Sequence, residues 1–208
     1  MMFAKFNKCN LITYLGVFFG VLSMYFSFTK MAFSDAVYVR YALACLVASG
    51  VCDMFDGKFA RMFKRTKEEK EFGVQLDSLC DTFCFLAVPV VFMMSLGMTN
   101  VVSVIVYTIF MICGVSRLGY FNVKSADSEK AIKTYQGLPV TSTAATFPLL
   151  GLLHTIVSAT VFEYMYLGLT LLTAILMVIN IKIPKFKGIM YYIMAGLAFA
   201  LIILLLVL

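Results

Sequence analysis

Long uninterrupted apolar stretches limit what this chain can fold into more than any other feature. About 20 apolar residues in a helix cross a hydrocarbon layer, and the sequence contains seven stretches near that length. They lie at 10–29, 35–57, 73–97, 99–121, 138–158, 160–181 and 189–208. Because these runs are continuously apolar and do not alternate, they predict helices rather than strands of a β-barrel. We therefore expect an all-α, polytopic membrane helical bundle that forms a single domain over 1–208.

The composition and the charge distribution support a membrane protein. Hydrophobic residues make up 62% of the chain and charged residues 13%, which excludes an ordinary water-soluble domain. If the stretches alternate across a membrane, every Lys and Arg except Lys30 and Arg40 falls on one side. Cytosolic loops are rich in these residues, so we expect the N-terminus to be cytosolic, in the cytoplasmic membrane. This uneven distribution of Lys and Arg accounts for the net charge of +6, so the charge does not indicate nucleic-acid binding. It favours attraction to anionic lipid head groups or to an anionic substrate.

The polar linkers between the stretches carry few structural signals. The mixed-charge run at 64–71 predicts a solvated turn. The segment 122–139 ends in Gly137 and Pro139, which should interrupt any helix and bring polar backbone near the membrane surface. The last stretch, 189–208, is nearly free of polar groups and predicts a packing helix without a catalytic part.

Four aspartates gather where the second stretch ends and the third begins, although charge is costly at a membrane edge. Asp53 and Asp56 are three residues apart, and Asp77 and Asp81 are four apart, so each pair occupies one helix face. The short linker lets the two helices pack side by side, so the four carboxylates can converge. Oxygen ligands alone select hard divalent cations. Two such cations would balance the four negative charges, so we expect a two-cation site at the cytosolic edge.

The residues between the two aspartate pairs suit a phosphate ligand. Gly57, Ala60 and Gly73 leave room for a bulky group near the backbone. Arg61 can form paired hydrogen bonds with phosphate oxygens. A two-cation site beside an arginine suits phosphoryl transfer, because the cations neutralise charge on the attacking and leaving oxygens.

A membrane transporter or channel is the alternative, since intramembrane aspartates can line an ion path or relay protons. Against this alternative, the acidic residues are confined to one membrane edge and the middle of the later stretches carries no charge. A conduction path needs polar groups through its depth. An enzyme is therefore the favoured class.

The string from Asp53 to Asp81 resembles the signature of the CDP-alcohol phosphotransferase family, D-x-x-D-G-x-x-A-R, a spacer, then G-x-x-x-D-x-x-x-D. All eight fixed positions match: Asp53, Asp56, Gly57, Ala60, Arg61, Gly73, Asp77 and Asp81. The spacer after Arg61 has eleven residues, where the family commonly has eight or nine. The additional residues fall in the charged run and should extend a cytosolic turn without moving the site.

Further segments resemble the phosphatidylserine-forming branch of this family. They are NLITYLGVFFGVLS near the start, FGVQLDSLCD, RLGYFNV at 117–123, QGLPV at 136–140 and KIPKFKG at 182–188. The resemblance implies six core transmembrane helices, to which 189–208 would add a seventh, and a homodimer. It also implies transfer from CDP-diacylglycerol to the hydroxyl of L-serine, with release of CMP. Glycerol 3-phosphate, an inositol derivative or an ether lipid would be alternative substrates for the same chemistry.

The resemblance also implies roles for the matched residues. Asp53, Asp56 and Asp77 would bind two divalent cations, Mg²⁺ or Mn²⁺, while Asp81 would contribute to the metal site and act as general base. The cytidine diphosphate part would be held by Asp56, Gly57, Ala60, Arg61 and Gly73.

The acceptor or phosphate pocket has two candidates, Arg117 and Asn122, near the end of the fourth stretch. An arginine can bind a carboxylate or a phosphate. Arg117 could equally be only a topology anchor at the cytosolic membrane surface.

Overall fold

A computed structural model describes residues 8–33, 35–127, 134–184 and 189–207. Within these ranges the chain is built almost entirely from α-helices. They are α1 Leu11–Phe33, α2 Val37–Ala60, α3 Lys67–Asp81, α4 Val88–Ser95, α5 Val101–Asp127, α6 Thr143–Gly151, α7 Ala159–Val178 and α8 Ile189–Val207. Short 3₁₀ turns lie at Lys8–Asn10, Val140–Ser142 and Leu152–Thr155. The predicted polytopic helical bundle is confirmed.

Six helical segments of the described chain are long and apolar enough to cross a membrane. They are Lys8–Phe33, Val37–Ala60, Lys67–Ser95, Val101–Lys124, Ala159–Val178 and Ile189–Val207. The stretch predicted at 138–158 differs, because α6 has nine residues and then passes into the 3₁₀ turn at Leu152–Thr155. Pro148 lies inside α6 and has no amide hydrogen for the helix ladder. This stretch is therefore a broken helical segment and not one continuous helix.

Contacts between helix ends show that successive segments run in opposite directions. Lys30 Nζ donates to the carbonyl of Ser95 at 3.1 Å, which joins the end of α1 to the end of α4. Asn100 Nδ2 donates to the carboxylate of Glu163 at 2.6 Å, which joins the residue before α5 to the first turns of α7. We call the end of the bundle that holds these four residues the far end.

The opposite end of the bundle, which holds the aspartates, is the carboxylate end. There the hydroxyl of Thr13 in α1 donates to Asp56 in α2 at 2.9 Å. The side chains of Ser78 in α3 and Asn122 in α5 hydrogen-bond at 2.9 Å. These contacts place the start of α1, the end of α2, α3 and the end of α5 together.

Helix α2 lies in the middle of the bundle, where it packs against α1, α6 and α8. Its buried face includes Leu43 and Leu46. Close packing with α6 depends on Gly50, because a Cβ there would lie 2.5 Å from the Cβ of Ala144. Small residues allow membrane helices to approach closely. The helix that carries Asp53 is thus held on several sides.

Two segments that lie far apart along the chain pair as a short two-stranded ribbon. Strands β1 (Thr134–Gln136) and β2 (Lys182–Pro184) pair antiparallel. Gly137 follows β1 with a φ of +73°, and a Cβ there would lie 2.3 Å from the carbonyl oxygen of Met177. Only glycine meets both requirements.

Gly137→Ala should destabilise the protein by about 2 kcal/mol or more, because a left-handed backbone costs an L-residue about 1–2 kcal/mol before the clash is counted. Thermal unfolding in detergent measures the effect. Gly168→Ala is the control, since Gly168 lies within α7 with nothing within 4 Å of an added Cβ. A melting temperature equal to wild type for Gly137→Ala would contradict the expectation.

The charged run at 64–71 is mostly helical, so the predicted solvated turn is wrong from Lys67 onward. Thr66 caps α3: its hydroxyl accepts from the amide of Glu69, and the Glu69 carboxylate accepts from the amide of Thr66. This reciprocal capping box starts a helix in a polar sequence. The Thr-x-x-Glu spacing of Thr66 and Glu69 is the sequence feature that could have predicted this helix start.

Candidate active site

Three carboxylates from two helices meet at the carboxylate end. Asp53 and Asp56 from α2 and Asp77 from α3 each offer an oxygen, and these atoms lie within 4.8 Å of one another. Asp56 is buried and the other two are half-buried. Carboxylates this close repel unless a proton or a cation compensates them. A set of oxygen ligands at this spacing fits a hard divalent cation.

Asp81 lies beside this trio. Its side chain lines the same cleft as the trio, but the trio with mutual spacings within 4.8 Å does not include it. Asp81 is therefore the one aspartate of the four in the sequence pattern that lies outside this trio.

A π-helical segment, Thr82–Ala87, begins directly after Asp81 and joins α3 to α4. Such segments are rare and are frequent at functional sites. Pro89 has no amide hydrogen to donate to the carbonyl of Phe85 four residues earlier. The hydroxyl of Thr143 in α6 donates to that carbonyl at 2.9 Å. The sequence interpretation missed this segment, and Pro89 was its only local signal.

The carboxylates line a small cleft. The rest of its wall consists of Thr13, Gly16, Ser49, Cys80, Cys84 and Phe85. The cleft has room for small groups only, so a nucleotide-linked lipid would extend well beyond it.

Helix α1 supplies a contact that the aspartate pattern did not reveal. Thr13 Oγ1 donates to Asp56 Oδ2 at 2.9 Å. Hydrogen bonds of this kind orient a carboxylate toward a metal. Thr13 lies in one of the segments that carry the family resemblance, but nothing in the sequence indicated a role for it.

Thr13→Val should weaken Mn²⁺ binding about 10- to 100-fold, which is the usual cost of losing a hydrogen bond to a metal ligand. The change keeps the shape of the side chain and removes the donor. Electron paramagnetic resonance of free Mn²⁺ in a titration of purified protein measures the affinity. Thr29→Val is the matched control, because the Thr29 hydroxyl bonds within α1 to the carbonyl of Tyr25. Unchanged Mn²⁺ affinity in Thr13→Val would contradict the expectation.

The candidates for holding a phosphate flank the carboxylates. Gly57 is exposed, and nothing lies within 4 Å of where its Cβ would be. Arg61 is also exposed, and its Nε donates to the carbonyl of Gly57 at 2.8 Å. Gly73 lies one turn before Asp77 in α3 and faces Arg65, whose Nη1 would be 3.5 Å from an added Cβ. Ala60, the last residue of α2, is half-buried. Because Gly57 and Arg61 are exposed, this surface is open to a ligand.

The two candidates for the acceptor pocket lie in α5. Arg117 is buried, with 8% of its surface exposed, which does not fit an anchor that faces water. Asn122 is joined to Ser78, the residue after Asp77. Neither is among the described residues that line the cleft. Direct contact with an acceptor stays a prediction for both.

Comparison with known proteins decides the family. A family model described as CDP-alcohol phosphatidyltransferase matches residues 6–207, which is nearly the whole chain. The chain belongs to this family. The match continues through α8, beyond the segments on which the sequence resemblance rested. The protein is therefore an enzyme of the CDP-alcohol phosphatidyltransferase class.

Similar proteins occur in a bacterium and in a yeast. A CDP-diacylglycerol–serine O-phosphatidyltransferase of Helicobacter pylori strain J99 is 30% identical over 186 residues, covering 86% of this chain and 72% of the relative. The protein of the same name from Saccharomyces cerevisiae is 27% identical over 173 residues, covering 81% of this chain and 61% of the relative.

In this CDP-alcohol phosphatidyltransferase, α8 contacts α2, the helix that carries the first part of the family signature. The hydroxyl of Tyr191 in α8 donates to the carbonyl of Met54 in α2. The ring of Tyr191 meets the ring of Phe55 edge-on, with centroids 5.5 Å apart. The expected packing helix thus also supplies polar contacts beside the carboxylates.

Proposed function

We propose that the protein transfers the phosphatidyl group of CDP-diacylglycerol to the hydroxyl of L-serine, giving phosphatidylserine and CMP. The observation that carries the proposal is the meeting of Asp53, Asp56 and Asp77 beside Asp81. This arrangement occurs in a family member whose relatives are named CDP-diacylglycerol–serine O-phosphatidyltransferase. The family match supports the transfer chemistry, and the names of the relatives support serine as the acceptor.

The carboxylates would divide the chemistry between them. Asp53, Asp56 and Asp77 would hold two divalent cations, Mg²⁺ or Mn²⁺, with a contribution from Asp81. When bound, the cations supply positive charge that stabilises the phosphate oxygens in the transition state. Asp81 would accept the proton of the serine hydroxyl as that oxygen attacks the phosphorus attached to diacylglycerol. The bond from this phosphorus to the oxygen of CMP then breaks.

Asp81 is suited to the base role by its position. A carboxylate fully engaged by cations is a weak base. Asp81 lies outside the group of three whose oxygens are all within 4.8 Å of one another, which supports leaving one of its oxygens for the acceptor hydroxyl.

Other residues would hold the substrates. The cytidine diphosphate part would contact Asp56, Gly57, Ala60, Arg61 and Gly73, several of which border open space. Arg117 and Asn122 remain candidates for the acceptor or phosphate pocket. The uneven distribution of Lys and Arg supports a cytosolic N-terminus and active site in the cytoplasmic membrane. The homodimer implied by the family resemblance also stays a prediction.

The test is CMP release by purified protein from CDP-diacylglycerol with Mg²⁺ or Mn²⁺ and a panel of alcohols. We expect CMP and phosphatidylserine with L-serine. CMP release with glycerol 3-phosphate or an inositol derivative but not with serine would overturn the acceptor assignment. Cation movement across liposomes by a protein that never forms CMP would favour the transporter alternative.

A further inference from the structure

Two tyrosines in the first turn of α8 lie against the part of α2 that carries Asp53 and Asp56. The hydroxyl of Tyr191 donates to the carbonyl of Met54, the residue after Asp53. Its ring packs edge-on against Phe55, the residue before Asp56. Tyr191 therefore contacts both residues that separate the two aspartates.

A lysine completes this cluster. Lys58 Nζ lies 3.7 Å from the ring centroid of Tyr191 and 4.4 Å from that of Tyr192. It also lies 3.5 Å from the hydroxyl oxygen of Tyr192. A cation above an aromatic face is attracted by the electrons of the ring. We call Lys58, Tyr191 and Tyr192 the tyrosine clamp.

The clamp acts on the helix face opposite the carboxylates. At 100° per residue, Met54, Phe55 and Lys58 point to one side of α2, and Asp53 and Asp56 point to the other. The last carbonyls of a helix lack partners within it, so helix ends fray. Helix α2 ends at Ala60, only four residues after Asp56. A support on the opposite face would keep this last part of α2 helical.

Helix α8 packs against α2 and, to a lesser extent, against α6. Of its described side chains, only Ala195, Leu201 and Leu205 are buried, and they lie further along the helix. Among the described residues, the clamp thus joins the start of α8 to the carboxylate end.

We propose that Tyr191 is a positioning residue for the metal site. Through the clamp it holds the last turns of α2 so that Asp53 and Asp56 keep their close spacing to Asp77. This inference rests on the proposed function, in which these three carboxylates bind the cations. It gives α8 a part in the reaction although α8 contributes no residue to the described lining of the cleft.

The test compares Mn²⁺ binding in substrate-free protein by electron paramagnetic resonance. Tyr191→Leu removes the hydrogen bond and the aromatic contacts, and should weaken Mn²⁺ binding about tenfold, because it loses a hydrogen bond and a cation–π contact that together hold the last turns of α2. Tyr191→Phe keeps the ring and should weaken binding about two- to fivefold, as expected for one hydrogen bond. Tyr164→Leu is the control, since Tyr164 is an exposed tyrosine in α7, next to Glu163 at the far end.

Turnover separates a positioning role from a merely structural one. Excess Mn²⁺ should restore the kcat of Tyr191→Leu close to wild type, because the carboxylates themselves are intact. A lower melting temperature with wild-type Mn²⁺ affinity would overturn the inference, and so would wild-type affinity in both Tyr191 variants. If Tyr191→Leu does not fold, Tyr191→Phe carries the test.

The outcome for the inference is distinct from that for the proposed function. If wild-type protein binds Mn²⁺ but forms no phosphatidylserine, the proposed function fails, and the shift in Mn²⁺ affinity still supports the clamp. If wild-type protein forms phosphatidylserine and the Tyr191 variants bind Mn²⁺ normally, the clamp fails alone.

Discussion

Asp81→Asn is expected to lower the rate of CMP release by about 10²- to 10⁴-fold, the usual contribution of a general base. Asparagine has nearly the same shape as aspartate, but it cannot accept the serine proton. Because Asp53, Asp56 and Asp77 are unchanged, Mn²⁺ binding should remain measurable. The assay is CMP release under saturating serine and Mn²⁺, together with a Mn²⁺ titration of the same preparation.

The control for this variant is Asp35→Asn. The carboxylate of Asp35 is exposed and accepts a hydrogen bond from the amide of Val37 at 2.9 Å, just before α2. It is distant from the site along α2, so turnover should be unchanged. Normal turnover in Asp81→Asn would remove Asp81 from the base role. Loss of Mn²⁺ binding in that variant would instead place Asp81 among the main metal ligands.

Asp77→Asn should abolish CMP release and weaken Mn²⁺ binding by more than about 100-fold, beyond the cost of losing a hydrogen bond to a metal ligand. Asp77 is the one member of the trio Asp53, Asp56 and Asp77 that comes from α3. Without its charge, the two carboxylates of α2 have no partner from the other helix within the trio. Wild-type protein treated with a chelator should lose activity to the same extent and regain it with Mg²⁺ or Mn²⁺.

Thermal unfolding distinguishes a lost metal site from a damaged fold. A cation that binds only folded protein raises its stability, so Mn²⁺ should raise the melting temperature of wild type and of Asp35→Asn. It should not raise that of Asp77→Asn. In chelator, Asp77→Asn should be at least as stable as wild type, because one charge of a crowded like-charged group is gone. Equal stabilisation by Mn²⁺ in wild type and Asp77→Asn would exclude Asp77 from the metal site.

The helices and the meeting of the aspartate pairs could be predicted because both depend on local spacing. Apolar length predicts a membrane helix wherever it occurs. Steps of three and four residues place Asp53 with Asp56, and Asp77 with Asp81, whatever else the chain does. The short linker between α2 and α3 then leaves few ways to arrange the two faces.

Two elements differ from the expectation although the sequence carries a local signal for each, Thr66 for one and Pro148 for the other. The Thr66 capping box lies inside the run that we expected to be a turn, and it extends α3 toward α2. Pro148 lies in a stretch whose average hydropathy predicts one membrane helix, but the stretch forms a short α-helix and a 3₁₀ turn. Averages over 20 residues are insensitive to a single residue that lacks an amide hydrogen.

The amino-acid sequence by itself determined the membrane bundle, the family and the two carboxylate pairs, because each depends on residue type and spacing along one helix. Only the tertiary structure decided which side chains support those carboxylates. Thr13 reaches Asp56 across 43 positions of the chain, and Tyr191 reaches Met54 across 137. Such contacts depend on the rotation and depth at which α1 and α8 pack against α2. Packing among many side chains sets these quantities, and no local pattern encodes them.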